Sequence, residues 1–134
     1  MVECGNGGRV VNNASVTGLG GAGAKLGFTH YAATKAALIN MTKCTAIEYI
    51  PDNIRVNAIA ATVIETEWCS AKIANSEDPL SVKAHLNSIN PMGLYHNTLP
   101  QYDDVTGVVS FLAGPDAKYI TGQTIAIDGG YSIQ

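Results

Sequence analysis

Charge is what this chain has least of. Charged side chains make up 14% of its 134 residues, against about 25% in a typical soluble domain, so an unusual share of the chain is expected to be buried. The net charge is −3 and no run of Lys or Arg occurs, which excludes nucleic acid or an anionic membrane as the main partner. No apolar stretch approaches the ~18 residues of a membrane-spanning helix. The opening Met1-Val-Glu-Cys-Gly-Asn-Gly-Gly8 lacks the charged and apolar regions of a signal peptide. Cysteine is sparse too: Cys4, Cys44 and Cys69 are odd in number and widely scattered, which excludes a disulfide framework and points to reduced thiols in a cytoplasmic compartment. Neither a Cys-x-x-Cys nor a paired-His spacing is present, so no metal site is expected. His30, His85 and His96 read as surface or pocket histidines.

What is present is alternation. With 46% apolar residues, the chain is one domain or a piece of one. Arg9 to Ala14 reads as a strand entering a glycine-rich loop, Gly18 to Gly27. An Ala-rich helix follows from about His30 to Tyr49, with an apolar stripe at Ala33, Ala37, Met41, Cys44 and Ile47, and Pro51-Asp-Asn53 stops it. Ile54 to Ala60 is a second strand, β-branched and apolar enough for a sheet covered on both faces. Residues 62–100 read as a lid with short helices. Asp103-Asp104 opens a further helix with Val105, Val108, Val109 and Leu112 on its apolar side, ended by Gly114-Pro115. Thr124 to Asp128 is a third strand, closed by Gly129-Gly130. Strands separated by helices imply a parallel α/β sheet with crossover connections.

The chemistry centres on Tyr31 and Lys35, four residues apart and therefore stacked on one helix face. A free phenol titrates near ~10 and is a poor base at neutral pH. An ammonium about 4 Å away stabilises the phenolate by up to roughly 4 kcal/mol at an effective dielectric of about 20, which favours general acid–base work. The spacing alone is a weak signal. Gly18-Leu-Gly20-Gly-Ala-Gly23 matches the dinucleotide-binding pattern G-x-G-x-x-G and follows a strand. No acid lies near 20 residues on to take a ribose hydroxyl, and Lys25-Leu-Gly27-Phe28 separates the glycines from the helix, so the match is rejected as a phosphate cradle.

Three segments in order, Asn13-Ala-Ser15-Val-Thr-Gly18, Tyr31-Ala-Ala-Thr-Lys35 and Asp52-Asn-Ile-Arg-Val-Asn57, resemble the short-chain dehydrogenase/reductase family. So does the ending Tyr119-Ile-Thr-Gly-Gln-Thr-Ile-Ala-Ile-Asp-Gly-Gly-Tyr131. The resemblance implies a Rossmann-type doubly wound parallel sheet of which residues 1–134 form a single partial domain, the C-terminal, catalytic half. It implies an NAD(P)-dependent oxidoreductase interconverting an alcohol and a ketone by hydride transfer. Ser15 falls at the family's catalytic serine, Tyr31 at its general acid/base, and Lys35 at the lysine that tunes the phenol and holds the nicotinamide ribose. Tyr31, Lys35, Ile64 and Thr66 match its cofactor-binding positions, the last two by an Ile-x-Thr stretch that meets the nicotinamide carboxamide. A homo-oligomer, dimer or tetramer, is implied as well, pairing the long helix through Ala36, Leu38, Ile39 and Thr42. The substrate is then a small alcohol or carbonyl compound, and the lid residues Trp68, Leu94, Tyr95 and His96 suggest a mixed aromatic and polar pocket.

Two departures stand out. Where the family has Pro-Gly after the second strand, this chain has Ala61-Thr62, losing both a fixed φ and a free one. The family's N-terminal strand and phosphate loop have no counterpart here; neither does the residue that selects between NAD and NADP. These 134 residues alone are therefore expected to bind NAD(P)H negligibly and to be inactive. The alternative reading is a non-catalytic remnant that acts by pairing its open sheet edge with another chain.

Overall fold

The computed structural model describes residues 1–20 and 27–134. Three strands form one parallel sheet in the order β1-β2-β3: β1 is Gly8–Asn13, β2 Ile54–Ala61 and β3 Thr124–Ile127. Gly8 pairs with Ile54 and Asn13 with Ile59, while Ala58 to Ala61 pair with Thr124 to Ile127. The central β2 is buried from Ile54 to Ala60, Arg55 and Asn57 included, as a strand covered on both faces requires.

Between β1 and β2 runs α1, Thr29–Glu48. It packs on the even-numbered face of the strands: Ile39 meets Ala14 and Ala58, and Ala46 meets Ile54 and Val56 beside Val10 and Tyr49. The face of α1 differs from the sequence expectation. Ile39, Thr42 and Ala46 are buried, whereas Ala33, Ala37, Met41, Cys44 and Ile47 point outward, Met41 at 51% and Ile47 at 71% exposure. Leu38, Ile39 and Thr42 are thus core residues rather than an outward pairing surface. Apolar and small residues occur on both sides of this helix, so periodicity could not choose between two stripes. Thr42 enters the core because its hydroxyl is satisfied twice, accepting from Asn12 Nδ2 at 2.9 Å and donating to Leu38 O at 2.8 Å. Asn53, at φ 56°, takes the left-handed turn that carries the chain from α1 into β2; asparagine tolerates that region better than most residues.

The lid is three short helices, α2 (Glu67–Ala74), α3 (Pro79–Asn87) and α4 (Pro91–His96). Each starts on a side-chain cap, from Thr66, Asp78 and Asn90. The fifth helix, α5 (Tyr102–Ala113), opens with a capping box between Gln101 and Asp104. Val105, Val108 and Val109 are half-buried and Leu112 fully buried, and Gly114 ends the helix before Pro115.

The odd-numbered face of β2 carries two polar staples. Asn57, 1% exposed, donates to Ile120 O at 2.9 Å and accepts from Gln123 N at 3.0 Å, fixing the turn that delivers β3. Arg55 donates to Gly114 O and Ile120 O, each at 3.1 Å, and so caps the C-terminal end of α5. Among the described residues no helix is long and apolar enough to cross a membrane.

Candidate active site

Parallel strands end at the same edge of a sheet, and that edge is where open α/β sheets place their ligands. The chain leaves β1 at Asn13, passes through Ala14 and Ser15, and makes one tight turn, Val16–Gly18. Ser15 is buried. Its Oγ accepts from Thr17 N at 3.2 Å and from Thr17 Oγ1 at 3.0 Å. With both lone pairs occupied, the remaining role for this hydroxyl is to donate its own hydrogen. Thr17 was not singled out in the sequence; the Ser-x-Thr pattern of a hydroxyl-stabilised turn is the signal that could have found it.

The turn is seated directly on α1. A Cβ at Gly18 would lie 2.6 Å from the Lys35 carbonyl carbon and 2.8 Å from Ala36 N, so only glycine permits this approach. From the helix side, Lys35 Nζ donates to Asn13 O at 2.8 Å, tying α1 to the end of β1. The same ammonium lies 5.5 Å from the centre of the Tyr31 ring, within range of a cation–π contact. Phe28 meets Tyr31 edge-to-face, with ring centroids 5.9 Å apart and planes at 87°. Tyr31 is 38% exposed, its ring steadied by Phe28 and Lys35 while the chain leaves one side open to solvent.

Ser15, Tyr31 and Lys35 therefore gather at the β1 end of the sheet edge. The ammonium meets the phenol over its ring face rather than head to head, because Asn13 O has claimed it. A backbone carbonyl leaves no mark in a sequence, so this partner was not foreseeable.

Ile64 and Thr66 follow β2 at the same edge. Ile64 is half-buried, and Thr66 Oγ1 accepts from Cys69 N at 3.2 Å as the cap of α2. That contact uses an acceptor position and leaves the hydroxyl hydrogen free to donate. Glu65 between them is fixed by Pro100 O, which accepts from its backbone N–H at 2.8 Å, and by Gln101. At the Ala61-Thr62 departure, β2 continues to Ala61 opposite Ile127, and Thr62 N donates to Ile127 O at 3.2 Å. Asn53 and Asn97 are the non-glycine residues at positive φ among those described. Thr62 is not one of them, so the backbone here makes no demand for glycine.

The lid delivers less than expected to a pocket. A cleft of about 560 Å³ lies beyond the end of β3, and His96 lines it together with Asn90, Met92, Leu99 and Asp104. Trp68, Leu94 and Tyr95 do not; they stand 71%, 67% and 87% exposed. On helices this short only a narrow stripe faces the domain, and these side chains lie off it. In the wall of the cleft Asp128 accepts from Gly130 N at 3.0 Å and from Ser132 N at 2.9 Å. Burial pushes this carboxyl up, but hydrogen bonds from Ser132, from Gly130 and from its own backbone outweigh it, and it titrates below the usual carboxylate value. Among the described residues no group of three or more His, Cys, Asp or Glu side chains is placed to hold a metal. The rejected glycine pattern runs into residues 21–26, outside those described.

The family model described as enoyl-(acyl carrier protein) reductase matches residues 2–132. Dehydrogenase/reductase SDR family member 4 of Homo sapiens is 39% identical over 104 residues, 78% of this chain and 34% of its own length. Among solved structures, ElxO with NADP bound superposes with a TM-score of 0.81 at 36% identity, covering 94% of this chain and 47% of its own. A 4-hydroxyisoleucine dehydrogenase mutant complexed with NADH and succinate gives 0.84 at 33% identity, covering 98% and 50%. The chain thus spans a third to a half of the length of these proteins. A partial Rossmann-type sheet, the serine, tyrosine and lysine gathered at its edge, and a family match over almost every residue agree: the chain belongs to the short-chain dehydrogenase/reductase family.

Proposed function

We propose that this chain carries the reacting end of an NAD(P)-dependent oxidoreductase that interconverts a small alcohol and its ketone. The observation that supports it most is the Ser15 turn seated on α1 at Lys35, which brings a hydroxyl with a free hydrogen to the same edge as Tyr31. The bound nicotinamide supplies or accepts the hydride. The side chains here suit its nicotinamide end: Lys35 for the ribose hydroxyls, Ile64 for the apolar ring, and the Thr66 hydroxyl, which retains a hydrogen to donate. During reduction a carbonyl oxygen gains negative charge; Ser15 donates a hydrogen bond to it and Tyr31 delivers a proton. In oxidation the phenolate takes that proton back.

Lys35 acts by holding its positive charge at the phenol ring, and the Asn13 carbonyl fixes that charge in place. The outward face of α1, with Ala33, Ala37, Met41 and Ile47, is the surface on which a second copy packs in a homo-oligomer.

One observation favours a second reading: among the described residues β1 is an outer strand, with β2 on one side and no strand on the other. Such an edge recruits another strand, as a non-catalytic partner-binding role requires. One experiment separates the two readings. This chain is joined to the remaining half of ElxO, and NADPH oxidation is followed with a panel of ketones. Turnover that Tyr31→Phe lowers by about a hundredfold or more, with NADPH affinity preserved, supports catalysis. A folded, NADPH-binding chimera with no turnover supports the second.

A further inference from the structure

At the opposite, N-terminal end of the sheet lies a second cleft, of about 330 Å³, lined by Ile50, Asn53, Arg55, Lys118, Tyr119 and Thr121 among others. Its place follows from the strands: Arg55 is six residues before Ala61, roughly 20 Å along β2 from the edge that carries Ser15. Two of its lining residues are cations and none is an acid, in a chain with 11 acids against 8 bases. A third cation stands at its border, since Arg9 pairs directly with Arg55 in the parallel register and so projects on the same face.

Arg55 is the unusual member. It is 8% exposed and, among the described residues, forms no ion pair. Two of its five donors are spent, on Gly114 O and Ile120 O. The charged neighbour that acts on it is Arg9, which, after burial, further disfavours its protonated form. A buried cation beside a like charge is costly unless an anion comes to it. Asn53, Thr121 and Tyr119 add neutral polar groups, and Lys118 and Tyr119 are exposed at the mouth, leaving a route in. Three cations with no acid match a dianion better than a single carboxylate; a phosphate monoester carries about −1.5 to −2 at pH 7.

We propose that this cleft binds the phosphate group of a small molecule, with Arg55 at its floor, Lys118 at its mouth and Arg9 at its border. The site is separate from the Tyr31 edge and does not depend on the redox reading.

Inorganic phosphate is titrated into the 134-residue chain by calorimetry, with chloride adjusted to hold ionic strength constant. The expected result is saturable binding of one phosphate per chain. Lys118→Glu and Arg9→Ser replace exposed side chains, so both variants keep the fold, as circular dichroism verifies. The first is expected to weaken binding by about tenfold or more and the second by a few-fold, while Tyr31→Phe leaves it unchanged. Acetate at the same ionic strength is expected to bind about tenfold more weakly than phosphate. No saturable heat, equal affinity in Lys118→Glu, or acetate binding as tightly as phosphate would each overturn the proposal.

Discussion

Lys35 Nζ donates to the main-chain oxygen of Asn13 at 2.8 Å, so the first helix is bolted to the end of the first strand through the ammonium that also lies over the Tyr31 ring. A structural anchor and the chemical role proposed for Lys35 fall on one ammonium. Lys35→Met keeps most of the aliphatic stem but removes that bond, and is expected to cost about 1 kcal/mol of stability, the usual worth of a part-exposed hydrogen bond. Urea denaturation of the two chains measures it; unchanged stability would mean that the bond is not formed in solution.

Gly18 makes a sharper case. An added Cβ would meet the backbone of α1 at Lys35 and Ala36, which cannot swing aside as a side-chain tip could. Gly18→Ala is therefore expected to destabilise the chain by about 1–3 kcal/mol, the range for overpacking a tight contact. Thermal unfolding tests it. Gly20→Ala is a poorer comparison, since Gly20 sits at φ +84° and suffers from backbone strain instead.

Much of this architecture was legible in the residues. The three strands and the boundaries of α5 followed from β-branched runs, from Asp103-Asp104 and from Gly114-Pro115, where local chemistry and tertiary need agree. The long helix was placed correctly along the chain but turned the wrong way. Its two faces differ too little in polarity for a single sequence to rank them, and the buried Thr42 hydroxyl is satisfied by Leu38 O and by Asn12, thirty residues away. Ser15, Tyr31 and Lys35 could be named from motif order, yet the contacts that hold them run to Asn13 O and to the backbone beneath Gly18. Main-chain atoms carry no letter in a sequence. The lid aromatics failed as pocket residues because composition says which side chains are present and not where they point.

Asn57 reaches two main-chain groups of the segment that leads into β3, at Ile120 and Gln123. Asn57→Ala removes both bonds, while Arg55 still reaches Ile120 O and Gln123 is exposed, so the expected loss is about 1–3 kcal/mol, the worth of two hydrogen bonds. Hydrogen exchange should show β3 opening first. Protection of Thr124 to Ile127 equal to that of the unsubstituted chain would argue against the staple.

Asp128 sets a pH dependence. Its carboxyl titrates lower in the folded chain than in the unfolded one, so the unfolded state binds the extra proton first as pH falls. The stability it contributes is complete above the ordinary carboxylate range and is lost as pH drops through its folded value. Asp128→Asn is expected to be less stable at neutral pH and to flatten the acid limb of the stability curve. A variant with the same acid limb would remove Asp128 from that role.

If Ser15 and Tyr31 serve one carbonyl oxygen, their losses cannot be independent. The most direct measurement is a double-mutant cycle on kcat for ketone reduction in the ElxO chimera, using Ser15→Ala, Tyr31→Phe and the pair. Each substitution alone is expected to slow turnover severely, and the double variant to be little slower than Tyr31→Phe. Losses that multiply in full, or near-normal turnover in either single variant, would contradict that shared role.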